Sequence, residues 1–260
     1  MEFAGAVSIL EGVTSVISFI KTIGEWNIFR SRRRNYDAMP LKYGVDECVR
    51  KVRILWIDDV FESRDSEMRF FVESFIREHN YMVELKGEAK LDEVKRGEYH
   101  IVLCDYQDVG ERDLDGSRTT AKSFLGKFRR EYFDKVLYFV SGERTFDNAN
   151  AANSFESWNK RALTDGGILE SKLRDAISDY MTPQKYWRRA SENMSTHLNL
   201  DDGWIQQVKA AFVSDYYDAC KKLRSDGTTG DAAALMRLKK KQTDAIRIKC
   251  ISSIMEYVRL

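Results

Sequence analysis

Two short apolar stretches of the chain end abruptly in carboxylates, and this feature restricts the fold more than any other. Val52 to Ile57 is followed by Asp58 and Asp59, and Ile101 to Cys104 is followed by Asp105. Short, continuous apolar runs of this kind are typical of strands that are buried on both faces of a parallel sheet. The sequence therefore predicts two buried strands that each deliver carboxylates to the end of the strand.

The segments around these two strands alternate between strand-like and helix-like patterns. Apolar residues at helical spacing predict helices, and short apolar runs predict three more strands. The predicted helices are 66–79, 91–95, 119–133 and 168–180, and the further strands are 81–85, 135–140 and 155–158. Alternation with short loops predicts an α/β fold, a doubly wound parallel sheet of five strands with helices on both faces. In such sheets the ligand crevice lies at the carboxyl ends of the strands.

Two further polar residues follow predicted strands and join the candidate site. Ser141 ends the fourth predicted strand, and Lys160 follows the fifth. Three carboxylates in one place repel each other strongly, and a hard divalent cation with oxygen ligands relieves that repulsion. Mg²⁺ suits this set, because it takes a few carboxylates together with water and phosphate oxygens. We therefore expect a magnesium site in which a hydroxyl and an ammonium group also take part.

The order of these groups resembles the receiver domain of two-component response regulators, over about residues 52–181. The resemblance implies a flavodoxin-like fold in which Asp105 accepts a phosphoryl group. It also implies that Asp58 and Asp59 hold Mg²⁺, that the Ser141 hydroxyl contacts the phosphoryl group, and that Lys160 neutralises a phosphoryl oxygen. The chemistry expected of the chain is then its own phosphorylation and dephosphorylation, with a histidine kinase or phosphotransfer protein as the donor.

Further positions match the receiver pattern, and others depart from it. Gln107 stands where the family supplies a metal-binding backbone carbonyl and a side chain that tunes dephosphorylation, and Glu143 matches the second tuning position. Arg161, however, follows Lys160 where the family has a proline, and Ser157 replaces the usual aromatic switch residue. The loop from Asp105 to Gly116 is also longer than usual and lacks a proline. The residues that carry the chemistry are retained, whereas those of the signalling surface are altered.

Helical flanks are expected on both sides of the receiver-like segment, which gives an organisation of 1–50, 51–181 and 182–260. Residues 3–20 are apolar at helical spacing, with Glu11 in the middle. Such a helix needs cover, and we expect residues 1–24 to pack on helices of 182–260 or on a second copy in a homo-oligomer. One alternative is a membrane-surface anchor made by residues 1–34, because arginines at 30 and 32–34 follow the apolar segment, and a true transmembrane span is another.

Charge and cysteine content limit the remaining function classes. The net charge is +1, but residues 182–260 carry a basic excess that includes Arg237 and Lys239–Lys241. No helix-turn-helix pattern precedes this run, so nucleic-acid binding has little support and a partner-docking or oligomerisation role is preferred. The four cysteines are far apart with no CxxC pair, which predicts reduced thiols in a cytoplasmic protein rather than a zinc site or a disulfide framework.

Two hypotheses from different classes follow. In the first, the chain is a signalling protein in which phosphorylation of Asp105 controls oligomerisation or partner docking through the helical flanks. In the second, it is a pseudo-receiver, a constitutive protein–protein interaction or membrane-associated scaffold that kept its acidic residues without using them for phosphoryl transfer. Mg²⁺-dependent labelling by a small phosphodonor distinguishes the two hypotheses.

Overall fold

The core of the protein is a five-stranded, all-parallel sheet in the order β2-β1-β3-β4-β5. The computed structural model describes residues 34–87, 99–105, 121–141 and 157–260. The strands are β1 (Arg53–Ile57), β2 (Met82–Lys86), β3 (Ile101–Asp105), β4 (Val136–Ser141) and β5 (Ser157–Asn159). The α/β class, the five strands and their parallel arrangement are therefore confirmed.

Several helices of the described ranges begin or end at residues that favour those positions. They are α1 (Val45–Val49), α2 (Glu67–His79), α3 (Ala121–Glu131), α4 (Gly166–Met181), α5 (Pro183–Thr196), α6 (Asp202–Asp226), α7 (Ala233–Lys240) and α8 (Ala245–Arg259). Side chains of Ser66, Asp165, Asp201 and Asp244 accept hydrogen bonds from the first turns of α2, α4, α6 and α8. Asn80 and Gly227 end α2 and α6 in the left-handed conformation.

Helices cover both faces of the sheet. Successive residues of a strand point to opposite faces, and the buried strands are apolar on each side. On one face, Phe128 of α3 packs in a cluster with Leu55, Val102 and Leu137 from three strands. On the other face, the Tyr138 hydroxyl donates a 2.6 Å hydrogen bond to Asp179 of α4.

The C-terminal helices dock at the edge of the sheet opposite the strand carboxyl ends. Phe133 and Asp134 lie just before β4, and their backbone carbonyls accept hydrogen bonds from α5: Asn193 donates to Phe133 at 2.7 Å, and Arg189 to Asp134 at 3.3 Å. Fully buried aromatic rings continue this contact into the helices, with Tyr186 of α5 and Tyr257 of α8 stacked at 3.6 Å between centroids, and Tyr180 of α4 edge-on to both.

A short segment before α1 is tied to the last helix. The ammonium of the half-buried Lys42 donates 3.0 Å hydrogen bonds to the carbonyls of Tyr257 and Val258, at the carboxyl end of α8. Burial lowers the pKa of Lys42 to about 8. The partial negative charge of a helix carboxyl end is the natural partner for such a cation. Tyr216 of α6 adds a hydrogen bond to the Pro40 carbonyl at 2.9 Å.

The boundaries differ from the sequence-based prediction in one place within the helical region. The apolar spacing of the sequence predicts one helical stretch over 235–260, but residues 241–244 interrupt it, and the Asp244 side chain caps the new helix α8. Asp favours the cap position because its carboxylate accepts bonds from free backbone N–H groups. Apolar spacing alone does not indicate such a cap.

The chain divides into two units, residues 1–39 and residues 40–260. Of the first unit, the described part contains one 3-10 helix, Tyr36–Ala38, capped by Asn35. The expected helix in residues 1–24 and the small helix 91–95 lie outside the described residues. The domain boundaries at 50 and 181 stay predictions. Within the described ranges, no helix is both long enough and apolar enough to cross a bilayer.

Candidate functional site

Two of the predicted acidic residues meet because their strands are neighbours. Asp58 follows β1 directly, and Asp105 is the last residue of β3. β1 and β3 pair in parallel register, with Ile57 opposite Cys104. The next residues of the two segments, Asp58 and Asp105, therefore lie side by side. Parallel strands run in the same direction, and their carboxyl ends therefore share one edge. Both residues are buried: Asp58 is completely inaccessible to solvent, and Asp105 is 5% exposed.

The orientation of Asp58 is fixed by the backbone around it. Its N–H donates to the Lys86 carbonyl at 2.9 Å, which continues the pairing with β2 by one residue. Its Oδ1 accepts from the Val60 N–H at 3.1 Å and thereby caps the 3-10 helix Asp59–Phe61. The other oxygen, Oδ2, is buried without a hydrogen-bond partner among the described residues.

Lys160 reaches the two buried carboxylates from the far side of the sheet. It follows β5, and β4 lies between β5 and β3, so the side chain passes the end of β4. The ammonium donates to Asp58 Oδ1 at 2.6 Å and to Asp105 Oδ2 at 2.9 Å. Lys160 therefore reaches residues on strands that are two and three strand spacings from β5, roughly 10 and 14 Å along the sheet edge.

Asp59 is the most accessible of the three acids. It opens the 3-10 helix after β1, its side chain is 47% exposed, and its Oδ1 lies 3.9 Å from the Lys160 ammonium. Ligand oxygens of Asp58, Asp59 and Asp105 lie within 4.8 Å of one another. The expectation that these three carboxylates and Lys160 meet at one edge agrees with this geometry.

Burial and charge act in opposite directions on the ionisation of this cluster. Burial raises the pKa of Asp58 to about 6, although its hydrogen bond and charge interaction with Lys160 lower it in part. Burial would lower the pKa of Lys160, but the hydrogen bonds and charges of Asp58 and Asp105 outweigh it, so the pKa is raised. The lysine is therefore positively charged at neutral pH. The site thus contains three carboxyl groups and one ammonium group.

The donor set fits a hard divalent cation. All candidate ligands are carboxylate oxygens, which Mg²⁺ and Ca²⁺ prefer, and the set contains no thiolate or imidazole. The unpartnered Oδ2 of the fully buried Asp58 is an independent indication, because a buried carboxylate oxygen without a donor is costly. Asp58, Asp59 and Asp105 are the described residues that could hold such an ion.

The remaining predicted site residues are only partly described. Ser141 ends β4, and its backbone pairs with that of Asn159, the residue before Lys160. The end of β4 therefore lies beside the strand that leads to Lys160. The Ser141 side chain, Gln107 and Glu143 lie outside the described part of the structure. Their expected roles therefore stay predictions.

Asn159 was not identified from the sequence. Its side-chain oxygen accepts from the Arg161 N–H at 3.1 Å and caps the 3-10 helix Lys160–Thr164. This cap fixes the backbone at the point where the Lys160 side chain leaves the strand. Asn is a favoured cap residue, so its position directly before the lysine was a signal that could have been used.

The fold and the site together define a parallel α/β protein with a carboxylate–lysine cluster at the carboxyl edge of its sheet. No protein-family model matches the chain, and no match was found among curated proteins. The argument for function therefore depends on the geometry of the site.

Proposed function

We propose that the chain is a receiver-type signalling protein that accepts a phosphoryl group on Asp105 in a Mg²⁺-dependent reaction. The observation that carries the proposal is the Lys160 ammonium, which contacts both Asp58 and Asp105 at the carboxyl edge of the sheet. The strand order 2-1-3-4-5 is that of flavodoxin-like folds, in which ligands bind at this edge next to β1 and β3. These two features come from independent parts of the structure, the backbone topology and a side-chain contact.

Asp105 is the proposed nucleophile. One of its carboxylate oxygens attacks the phosphorus of the donor, the bond from phosphorus to the donor atom breaks, and the leaving group takes the bonding electron pair. The product is an acyl phosphate on Asp105, which water later hydrolyses back to the carboxylate. Phosphoryl transfer needs positioning and positive charge more than it needs covalent assistance. The position of Asp105 at the end of β3 supplies a rigid attacking group.

Lys160 is the side chain of this protein that supplies positive charge next to Asp105. Its ammonium lies 2.9 Å from Asp105 Oδ2 and can neutralise an oxygen of a phosphoryl group on Asp105. Asp58 holds the ammonium from the other side at 2.6 Å and restricts its motion. When Mg²⁺ is bound by Asp58, Asp59 and Asp105, it adds positive charge at the phosphoryl oxygens.

A second candidate function is the pseudo-receiver scaffold, and one observation favours it. Lys160 contacts all three acids, at 2.6, 2.9 and 3.9 Å, so the cluster is partly neutralised by an internal cation. Such a cluster can hold the edges of three strands together without any ligand. In that case the fold would present its helices to partners without a chemical switch.

Labelling with acetyl phosphate tests the two functions. The purified chain is incubated with acetyl phosphate in Mg²⁺ or in EDTA, and the intact mass is measured. We expect a gain of one phosphoryl group in Mg²⁺, its loss on mild alkaline or hydroxylamine treatment, and no gain in the variant Asp105→Asn. Asp165→Asn is the matched control, because Asp165 lies outside the cluster and caps α4. Absence of labelling in Mg²⁺ favours the scaffold.

The partners proposed for this function are a histidine kinase or phosphotransfer protein as the donor and a second copy of the chain. The C-terminal helices support an effect on docking or assembly, since a single residue, Thr182, separates α4 from α5 and so connects the Lys160 side of the sheet to the helical region. Membrane-surface attachment through residues 1–34 stays an alternative to self-association.

A further inference from the structure

Three kinds of contact hold the turn that carries Asp59. Asp58 caps it at one end, and the Phe61 and Glu62 N–H groups donate to the Asp58 and Asp59 carbonyls at 3.0 and 2.9 Å. Phe61 is buried, with its ring edge-on to Trp56 of β1 at 5.4 Å between centroids. These contacts provide hydrogen-bond partners for the polar groups at the beginning of the turn. The Phe61 carbonyl at its end needs a hydrogen-bond donor from elsewhere.

Arg69 of α2 supplies that donor. Its guanidinium donates to the Phe61 carbonyl at 2.6 Å and, through Nε, to Glu73 one turn along the helix at 2.8 Å. The Glu73 carboxylate thus orients the planar guanidinium, whose donors have a fixed geometry. The backbone of Arg69 is held as well, since its N–H donates to the Ser66 cap at 3.2 Å. The turn is therefore attached to a helix that is itself capped at this position.

Asp59 depends on this attachment more than the other two acids do. Asp58 and Asp105 are buried and bonded to Lys160, whereas the Asp59 side chain is half exposed and 3.9 Å from the lysine. Its position relative to the other carboxylates is therefore set mainly by the backbone of the turn. A shift of the turn would move Asp59 out of the arrangement in which three oxygens lie within 4.8 Å.

We propose that Arg69 is a positioning residue that holds Asp59 as a ligand for a divalent cation. The inference rests on the proposed function, because it assigns Asp59 to the metal site of that function. Arg69 acts through the Phe61 carbonyl and the backbone of the turn. Residues that orient metal ligands in this indirect way commonly change metal affinity by about 10- to 100-fold when they are replaced.

The test measures metal affinity rather than phosphorylation. Mg²⁺ is titrated into the full chain, and its dissociation constant is read from tryptophan fluorescence, since the buried Trp56 and Trp158 each lie two residues before a site residue. We expect Arg69→Met to weaken Mg²⁺ binding about tenfold. Arg77→Met is the matched control, because Arg77 is an exposed arginine two turns further along α2. It should bind Mg²⁺ as the wild type does.

A double-mutant cycle with Asp59→Asn separates positioning from a general structural effect. If Arg69 acts through Asp59, then Arg69→Met should change the affinity less than twofold once Asp59→Asn is present. Arg69→Lys, which keeps one donor for the Phe61 carbonyl, should restore part of the affinity and also serves if Arg69→Met fails to fold. An unchanged affinity in Arg69→Met, or the same loss with and without Asp59→Asn, would overturn the proposal.

These outcomes are distinct from a failure of the proposed function. If the wild-type chain binds neither Mg²⁺ nor Mn²⁺ at millimolar concentrations, the Mg²⁺-dependent function and the role of Arg69 are both wrong. If the wild type binds the ion and Arg69→Met binds it equally well, only the positioning role is wrong.

Discussion

Lys160 donates hydrogen bonds to two carboxylates from different strands, Asp58 Oδ1 at 2.6 Å and Asp105 Oδ2 at 2.9 Å. The contact joins the end of β5 to the ends of β1 and β3 across an intervening strand. It links the sheet topology directly to the chemistry of the site.

The first prediction concerns Lys160 itself. Lys160→Met keeps the length of the side chain but leaves Asp58 and Asp105 buried without their cation. Removing one partner of a buried ion pair costs about 3–5 kcal/mol, and the partial exposure of Lys160 reduces this to roughly 2–3 kcal/mol. Urea unfolding in EDTA should show this loss. Lys240→Met, on the exposed end of α7, should stay within about 0.5 kcal/mol of the wild type.

The second prediction concerns like-charge repulsion at Asp105. Its carboxylate faces two other carboxylates and one ammonium, so Asp105→Asn removes two repulsions and one attraction. We expect the melting temperature in EDTA to rise by a few degrees, which corresponds to about 1 kcal/mol. The further stabilisation of the wild type by 10 mM Mg²⁺, about 1.4 kcal/mol for a dissociation constant near 1 mM, should become smaller in the variant.

Asp179→Asn is the control for this experiment, with an effect of opposite sign. Hydrogen bonds from Lys185 and Tyr138 outweigh burial and lower the pKa of Asp179, so its charge is stabilising. Its loss should lower the melting temperature. If Asp105→Asn also lowers it in EDTA, the three acids do not form a mutually repelling cluster.

The third prediction is a pH dependence that arises at the opposite edge of the sheet. Burial, with smaller effects of Lys135 and Arg53, lowers the pKa of His100 to about 3, and the neutral ring accepts from the Arg53 N–H at 2.9 Å. The unfolded chain binds a proton below about pH 6.5 but the folded chain does not, so stability falls as the pH falls. At pH 5 this loss is about 2 kcal/mol relative to pH 8.

His100→Asn tests this dependence, since an asparagine oxygen can accept the same hydrogen bond without titrating. Unfolding free energies of the wild type and the variant are compared at pH 5 and 8. The variant should lose about 2 kcal/mol less on acidification, whereas His79→Asn, on the exposed end of α2, should lose as much as the wild type. Equal losses in wild type and His100→Asn would show that His100 does not cause the acid sensitivity.

The fourth prediction concerns the helical region. Residues 51–181 alone would expose Tyr180, which is fully buried and packs against His100, Tyr186 and Tyr257 in the whole chain. The fragment would also lose the Asn193 and Arg189 hydrogen bonds to the backbone before β4. We expect it to be aggregated or digested rapidly by protease, while residues 40–260 resist digestion. A fragment 51–181 with a cooperative unfolding transition would show that the boundary at 181 separates independent domains.

The local elements and the chemical character of the site are predictable from the amino-acid sequence alone. Apolar runs such as Ile101–Cys104 indicate buried strands because four adjacent apolar residues leave no face for water. The positions of Asp58, Asp105 and Lys160 after strands were equally visible, because a parallel α/β sheet brings strand carboxyl ends to one edge. The convergence of these residues was therefore predictable in outline.

Which groups are in contact and where the helices dock depend on the packing of the whole chain. The contact of Lys160 with Asp58 joins residues 102 positions apart, and the Arg69 contact with the Phe61 carbonyl involves a backbone atom that carries no sequence signature. Likewise, Tyr186 and Tyr257 read only as apolar residues at helical spacing, and nothing in that spacing indicates that they stack on each other. Periodicity shows which face of an element is buried, but the partner of that face is chosen by packing among all elements at once.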